Sequence, residues 1–203
     1  DRPEEEMRHA ERAAELDPLS VVVRRNLCDS LQLAQRFEEA AECLARVIEI
    51  DPSSPLAYSG LGWLNAYARN RFVEAVDLLE RAAALDAGNP DAYVSLLAVH
   101  LDLGDMSRAQ QLSASLVELW PGSYYSNLAK AATELLLGSN AAAERHASKA
   151  LAEYPQDLFS LRILRDADLR AGNAMAAKER YARAFPGFFE QMPARVDENS
   201  FSQ

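Results

Sequence analysis

The chain has 203 residues, 49% of them hydrophobic, with 31 acidic against 21 basic side chains and a net charge of −10. That hydrophobic share is enough for a buried core. An acidic balance with no long basic run excludes sequence-independent nucleic-acid binding and adsorption to an anionic membrane, because both need clustered Lys and Arg.

Residues 4–17 read as one helix, half of a helix pair, with Glu4, Glu5 and Glu6 favouring its N-terminal end through the helix dipole. Its apolar face is thin: Met7, Ala10, Ala13, Ala14 and Leu16. Five helix pairs are then expected, over residues 21–52, 55–87, 90–121, 124–155 and 158–185. The third shows the plan most plainly. Tyr93, Leu96, Leu97 and His100 fall at i, i+3, i+4 and i+7, one face of a first helix. Gly104 ends it, since glycine accepts the left-handed conformation that helix ends favour. Ala109, Leu112, Leu116 and Leu119 mark a second helix, and Pro121 stops it. In the first pair the turn Ala34-Gln35-Arg36-Phe37 has no glycine. Pro55 opens the second pair at a first turn, where its missing N–H costs nothing. Asn140 is expected to cap the second helix of the fourth pair.

Several residue classes keep one period. Gly104, Gly138 and Gly172 are 34 residues apart, and Ala40, Ala75, Ala109, Ala143 and Ala177 are 35, 34, 34 and 34 apart. Pro18 and Pro52 repeat the interval, as do Pro121 and Pro155. One extra residue therefore sits in the second copy, between Gly62 and Phe72. A fixed period of about 34 with two helices per copy signals an all-α helical solenoid, here of about eleven helices. The recurrent alanines belong where paired helices cross closest, so Ala109→Leu is expected to lower the melting temperature.

These residues resemble the tetratricopeptide repeat family over roughly 4–186. Tyr58, Leu61, Gly62, Ala75 and Ala82 fit one copy of its pattern, and Tyr93, Leu96, Gly104, Ala109 and Pro121 the next. Cys28, Leu97, Ala131 and Arg165 replace the first-helix glycine in the other copies. The resemblance implies a right-handed solenoid whose first helices line a concave face. Carried over by position, that face would hold Arg25 and Asp29, then Ser59, Trp63 and Tyr67, then Asp91, Val94, Ala98 and Leu101. Tyr125, Leu128, Ala132 and Leu135 would follow, then Phe159, Arg162 and Asp166. Aromatic, apolar and arginine side chains together mark an interaction surface. The expected partner is a protein or peptide, with Trp63, Tyr125, Leu128 and Phe159 as anchors and Arg25 and Arg162 orienting acidic groups. The competing reading is that Trp63, Tyr125 and Phe159 seal contacts between neighbouring repeats. A clamp on a terminal carboxylate is not expected, because an acidic Asp29 follows Arg25 and Asn26 and the second and third pairs carry no matching lysines.

Catalysis is not expected: no phosphate loop, GxSxG or HExxH is present. His9, His100 and His146 fall in different repeats, and Cys28 and Cys43 lack metal-ligand spacing, so neither a metal nor a cofactor is expected. The two cysteines read as small buried thiols; a disulfide would need them to face each other across the helix pair, which spacing does not decide. No run of about 18 apolar residues occurs, so no helical membrane insertion is expected. Residues 187–203 break the pattern and are expected to cap the last pair or link onward, with Phe188, Phe189 and Met192 offering a route to a homodimer. The chain opens within a repeat, so the expectation is a piece of a longer, bacterial protein; no signal peptide is visible, which says little about that parent, and a cytoplasmic location is expected. Two other functions stay open: a regulatory or sensor segment of a signalling or transcription-regulating protein, and a self-assembly module.

Overall fold

Each first helix starts where the sequence supplies a cap or a proline. The side chains of Ser20, Asn89, Ser123 and Asp157 accept hydrogen bonds from the first backbone amides of their helices. Pro55 and Pro90 occupy the first turn of theirs. The computed structural model describes residues 2–186, and among them eleven helices follow one another. They are α1 (Arg2–Leu16), α2 (Val21–Leu33), α3 (Phe37–Ile50), α4 (Pro55–Tyr67), α5 (Phe72–Leu85) and α6 (Pro90–Asp102). The remainder are α7 (Met106–Leu119), α8 (Tyr124–Leu136), α9 (Asn140–Glu153), α10 (Leu158–Arg170) and α11 (Ala174–Ala184). The expected cap or linker at 187–203 lies outside the described residues.

One turn design joins the helices of each repeat. A residue in the left-handed region stands at the same repeat position every time: Gln35 at φ 58°, Asn70 at 54°, Gly104 at 73°, Gly138 at 79° and Gly172 at 75°. The next amide reaches back to a carbonyl five residues earlier, as from Asp105 to His100 at 2.9 Å and from Asn173 to Asp168 at 2.8 Å. That bond satisfies a carbonyl the helix end would leave unpaired. In the second repeat Arg71 reaches Asn65, six residues back, at 2.6 Å. The extra residue of that copy thus lies in its turn, and both flanking helices keep their length. The expected cap by Asn140 does not form: Asn140 is the first helical residue, Ser139 precedes it without a side-chain cap, and the Asn140 side-chain oxygen is buried without a partner.

The chain divides into two compact units, one ending at Asp105 and the other starting at Met106. The division falls in the turn of the third repeat. In the first unit α1 packs on α2, α2 on α3, α3 on α4, α4 on both α5 and α6, and α5 on α6. In the second, α7 packs on α8, α8 on α9, and α10 on α8, α9 and α11. The small-residue rule holds throughout: Ala40, Ala75, Ala109, Ala143 and Ala177 are all fully buried. Gly62 goes further. A Cβ there would stand 2.8 Å from Leu79 Cγ and 3.3 Å from the Ala75 carbonyl oxygen, so α4 and α5 meet at a distance only glycine allows. In the second unit Arg180 binds Asp168 at 2.9 Å and also Glu144, tying α11 to α10 and α9.

The reading of Cys28 and Cys43 as free thiols is corrected. They form a disulfide joining α2 to α3, with Cα atoms 5.5 Å apart. That separation lies within the range a disulfide can bridge. The bridge lies inside the apolar cluster of Leu31, Ala40, Leu44 and Val47.

Candidate interaction surface

In the first unit the side chains of α2, α4 and α6 that face away from their second helices form the candidate surface. Arg25 is half-buried and Asp29 exposed on α2. On α4, Trp63 keeps 40% of its surface in solvent, a high fraction for the largest apolar side chain. Its ring lies 5.8 Å from that of Tyr67 at a tilt of 48°, and Tyr67 meets Phe72 edge-on at 6.4 Å. Both separations suit quadrupolar aromatic pairing. The Tyr67 hydroxyl donates to Asp102 Oδ2 at 3.1 Å, which links α4 to α6. On α6, Val94 and Leu101 are half-buried, Asp91 is exposed, and Ala98 is buried.

In the second unit α8 and α10 supply the equivalent positions. Tyr125 is half-buried and packs edge-on against Tyr124 at 5.1 Å, and Tyr124 packs on Tyr154 at 4.7 Å. Phe159 is half-buried, with the Arg162 guanidinium 5.0 Å from its ring centroid, a cation–π arrangement. Arg165 bonds its neighbour Asp166 at 2.7 Å. Leu128 is corrected as an anchor. It is 0% exposed, on a helix packed against α7, α9 and α10. Ala132 and Leu135 are likewise buried. Tyr124 and Tyr154 extend the aromatic row beyond the residues legible in sequence; the adjacent Tyr124-Tyr125 pair was the available signal.

The histidines stand apart. His9 is exposed. His100 is buried in a core aromatic's place, its Nδ1 3.2 Å from the Asp105 carboxylate. His146 is half-buried, its Nδ1 3.4 Å from Asn127 Oδ1, and burial together with the nearby charges of Lys149 and Lys130 holds its pKa below the usual histidine value. Among the described residues no group of His, Cys, Asp and Glu could hold a metal ion. An open depression between α1 and α2 is lined by Met7, Arg8, Glu11, Ser30 and Leu33, with Arg36 at its edge held by Glu11 at 3.2 Å and Glu39 at 2.6 Å. Among the described residues no helix is long and apolar enough to cross a membrane.

Paired helices of fixed length with small residues at each crossing define an all-α repeat protein of the helical-solenoid class. Two family models described as tetratricopeptide repeat match the chain, over residues 28–90 and 66–132. The chain belongs to the tetratricopeptide repeat family. Solved structures agree on the fold. TTC0263, a thermophilic tetratricopeptide repeat protein of Thermus thermophilus, is 19% identical, covers 90% of this chain and 97% of its own, and superposes with a TM-score of 0.69. PilW, a type IV pilus biogenesis factor, is 20% identical over 90% of this chain and 84% of its own, with a TM-score of 0.64. YrrB, described as having an unusual peptide-binding site, is 19% identical over 90% of this chain and 94% of its own, with a TM-score of 0.55. No curated protein matches the chain. Proteins of this family serve in general as protein–protein interaction modules and scaffolds.

Proposed function

We propose that the chain is a non-catalytic interaction module whose first helices hold a peptide or a partner helix. The observation that carries this reading is Trp63, 40% exposed on α4 and ring-to-ring with Tyr67. Exposed tryptophan beside tyrosine is the composition of a binding hot spot. Tyr125, Phe159 and Arg162 supply a second group of the same kind on α8 and α10. Half-buried aromatics present a large apolar surface with few rotamers to freeze, which keeps the entropic cost of capture low. The peptide-binding site described for YrrB gives the reading a precedent on the same fold. Nucleic acid is a poor partner for so acidic a chain.

The disulfide bears on the compartment. Bridges of this kind persist where the surroundings are oxidising, so we favour such a compartment over the expected cytoplasm.

The test is a lysate pull-down with the chain and with a Trp63→Glu, Tyr125→Glu, Phe159→Glu variant whose helical circular dichroism is first shown to be unchanged. A partner held by the parent chain and lost by the variant is the expected result. Equal capture by both sinks the reading and moves the site elsewhere on the surface.

A further inference from the structure

The charge of this chain is not shared between its units. Residues 1–105 hold 20 acidic and 10 basic side chains, whereas residues 106–203 hold 11 of each. The entire net charge of −10 therefore belongs to the first unit. Its exposed aromatic face follows the same bias. Asp29, Trp63 and Ala98 occupy the same position in α2, α4 and α6, so the tryptophan stands in one register with a carboxylate. Asp91 is exposed at the start of α6 and Asp102 at its end, where it also accepts the Tyr67 hydroxyl at 3.1 Å. Arg25 is the one arginine or lysine among the residues assigned to this face, against the two aspartates Asp29 and Asp91, with Asp102 bonded to Tyr67 beside them.

We infer that the first unit's face selects a cationic segment, a stretch of partner chain in which Lys or Arg alternates with apolar side chains. The inference rests on the interaction reading above and names the partner class of that surface. Two effects act together. An acidic unit raises the local concentration of a basic ligand and its association rate. An exposed indole on an acidic unit then holds a guanidinium or ammonium over its ring. An acidic segment would meet repulsion from Asp29, Asp91 and Asp102 with only Arg25 to offset it. A neutral apolar segment would gain the ring contacts without the steering.

The experiment pans random displayed dodecapeptides on the whole chain, with the Trp63→Ala variant as counter-target. Peptides that depend on Trp63 are expected to be enriched in Lys and Arg and to carry net positive charge. A selected peptide should bind about fivefold to tenfold more weakly to an Asp29→Asn, Asp91→Asn variant at low salt, and about 0.5 M salt should remove that difference. Both aspartates are exposed, so these changes leave the packing intact. Trp63-dependent peptides that are neutral or acidic, or that ignore the loss of the carboxylates, overturn the inference and leave the interaction reading standing. Absence of any Trp63-dependent peptide overturns both.

Discussion

Cys28 and Cys43 are bonded across α2 and α3, closing a loop over a sequence separation of 15. The bridge lies in the core of the first repeat, where Cys28 is fully buried. Constraining a loop of that length in the unfolded chain is worth about 3 kcal/mol in the chain-entropy account. Unfolding the oxidised and the fully reduced protein in urea should therefore show a clearly lower midpoint for the reduced form. Thiol titration of denatured, alkylated protein should find no free sulfhydryl before reduction and two after it. Coincident urea curves, or two titratable thiols in untreated protein, would refute the cross-link.

Gly62 is set against Leu79 with no room for a Cβ. Leu79 is itself fully buried and cannot swing aside, and the Ala75 carbonyl behind it is backbone. Gly62→Val should cost about 2 kcal/mol through overpacking, more than a better helix former returns at that position. Gly60, whose Cβ would meet only the end of the Leu44 side chain at 3.1 Å, is the control, and its replacement by Ala should be much milder. Equal melting temperatures for the two variants would remove the account of a glycine-dependent crossing.

The eleven helices were legible because one period governs unrelated residue classes. Alanines at crossings, left-handed turn residues and closing prolines each carry it independently. Even the extra residue of the second repeat could be confined to Gly62–Phe72, and the bond from Arg71 to Asn65 then placed it in the turn. The surface was legible only in part. Position within a repeat gives a direction, not the depth of its neighbours. Trp63 and Leu128 both looked outward by position, yet Leu128 is fully buried and Trp63 keeps 40% of its surface in solvent. The disulfide escaped for a related reason. Whether two cysteines 15 residues apart meet depends on how each helix is rotated, which a one-residue shift of register would undo.

Gln35 holds the left-handed position that glycine occupies in the third, fourth and fifth repeats, at φ 58°. A side chain in that region costs about 1 kcal/mol relative to glycine, while glycine adds some entropy to the unfolded chain. Gln35→Gly should therefore raise the melting temperature by a few degrees at most. Gln35→Val, β-branched at the same φ, should lower it. The reverse order, with valine tolerated and glycine destabilising, would show that the turn is not governed by this dihedral.

His146 gives the second unit a pH dependence of definite sign. Burial is the largest cause of its lowered pKa, followed by repulsion from Lys149 and Lys130, with Glu134 opposing and Arg145 adding. In the unfolded chain the group titrates near its ordinary value of about 6.5. As pH falls below that value, the unfolded state takes up the proton first and is favoured by it. The stability present at neutral pH is therefore lost progressively until the folded-state pKa is passed, below which both states are protonated. Chemical denaturation at steps from about pH 7.5 to about pH 5 should show the parent chain losing stability relative to His146→Gln across that window, with the two running parallel above it. Curves that run parallel throughout would mean that the imidazole is as freely protonated in the fold as out of it.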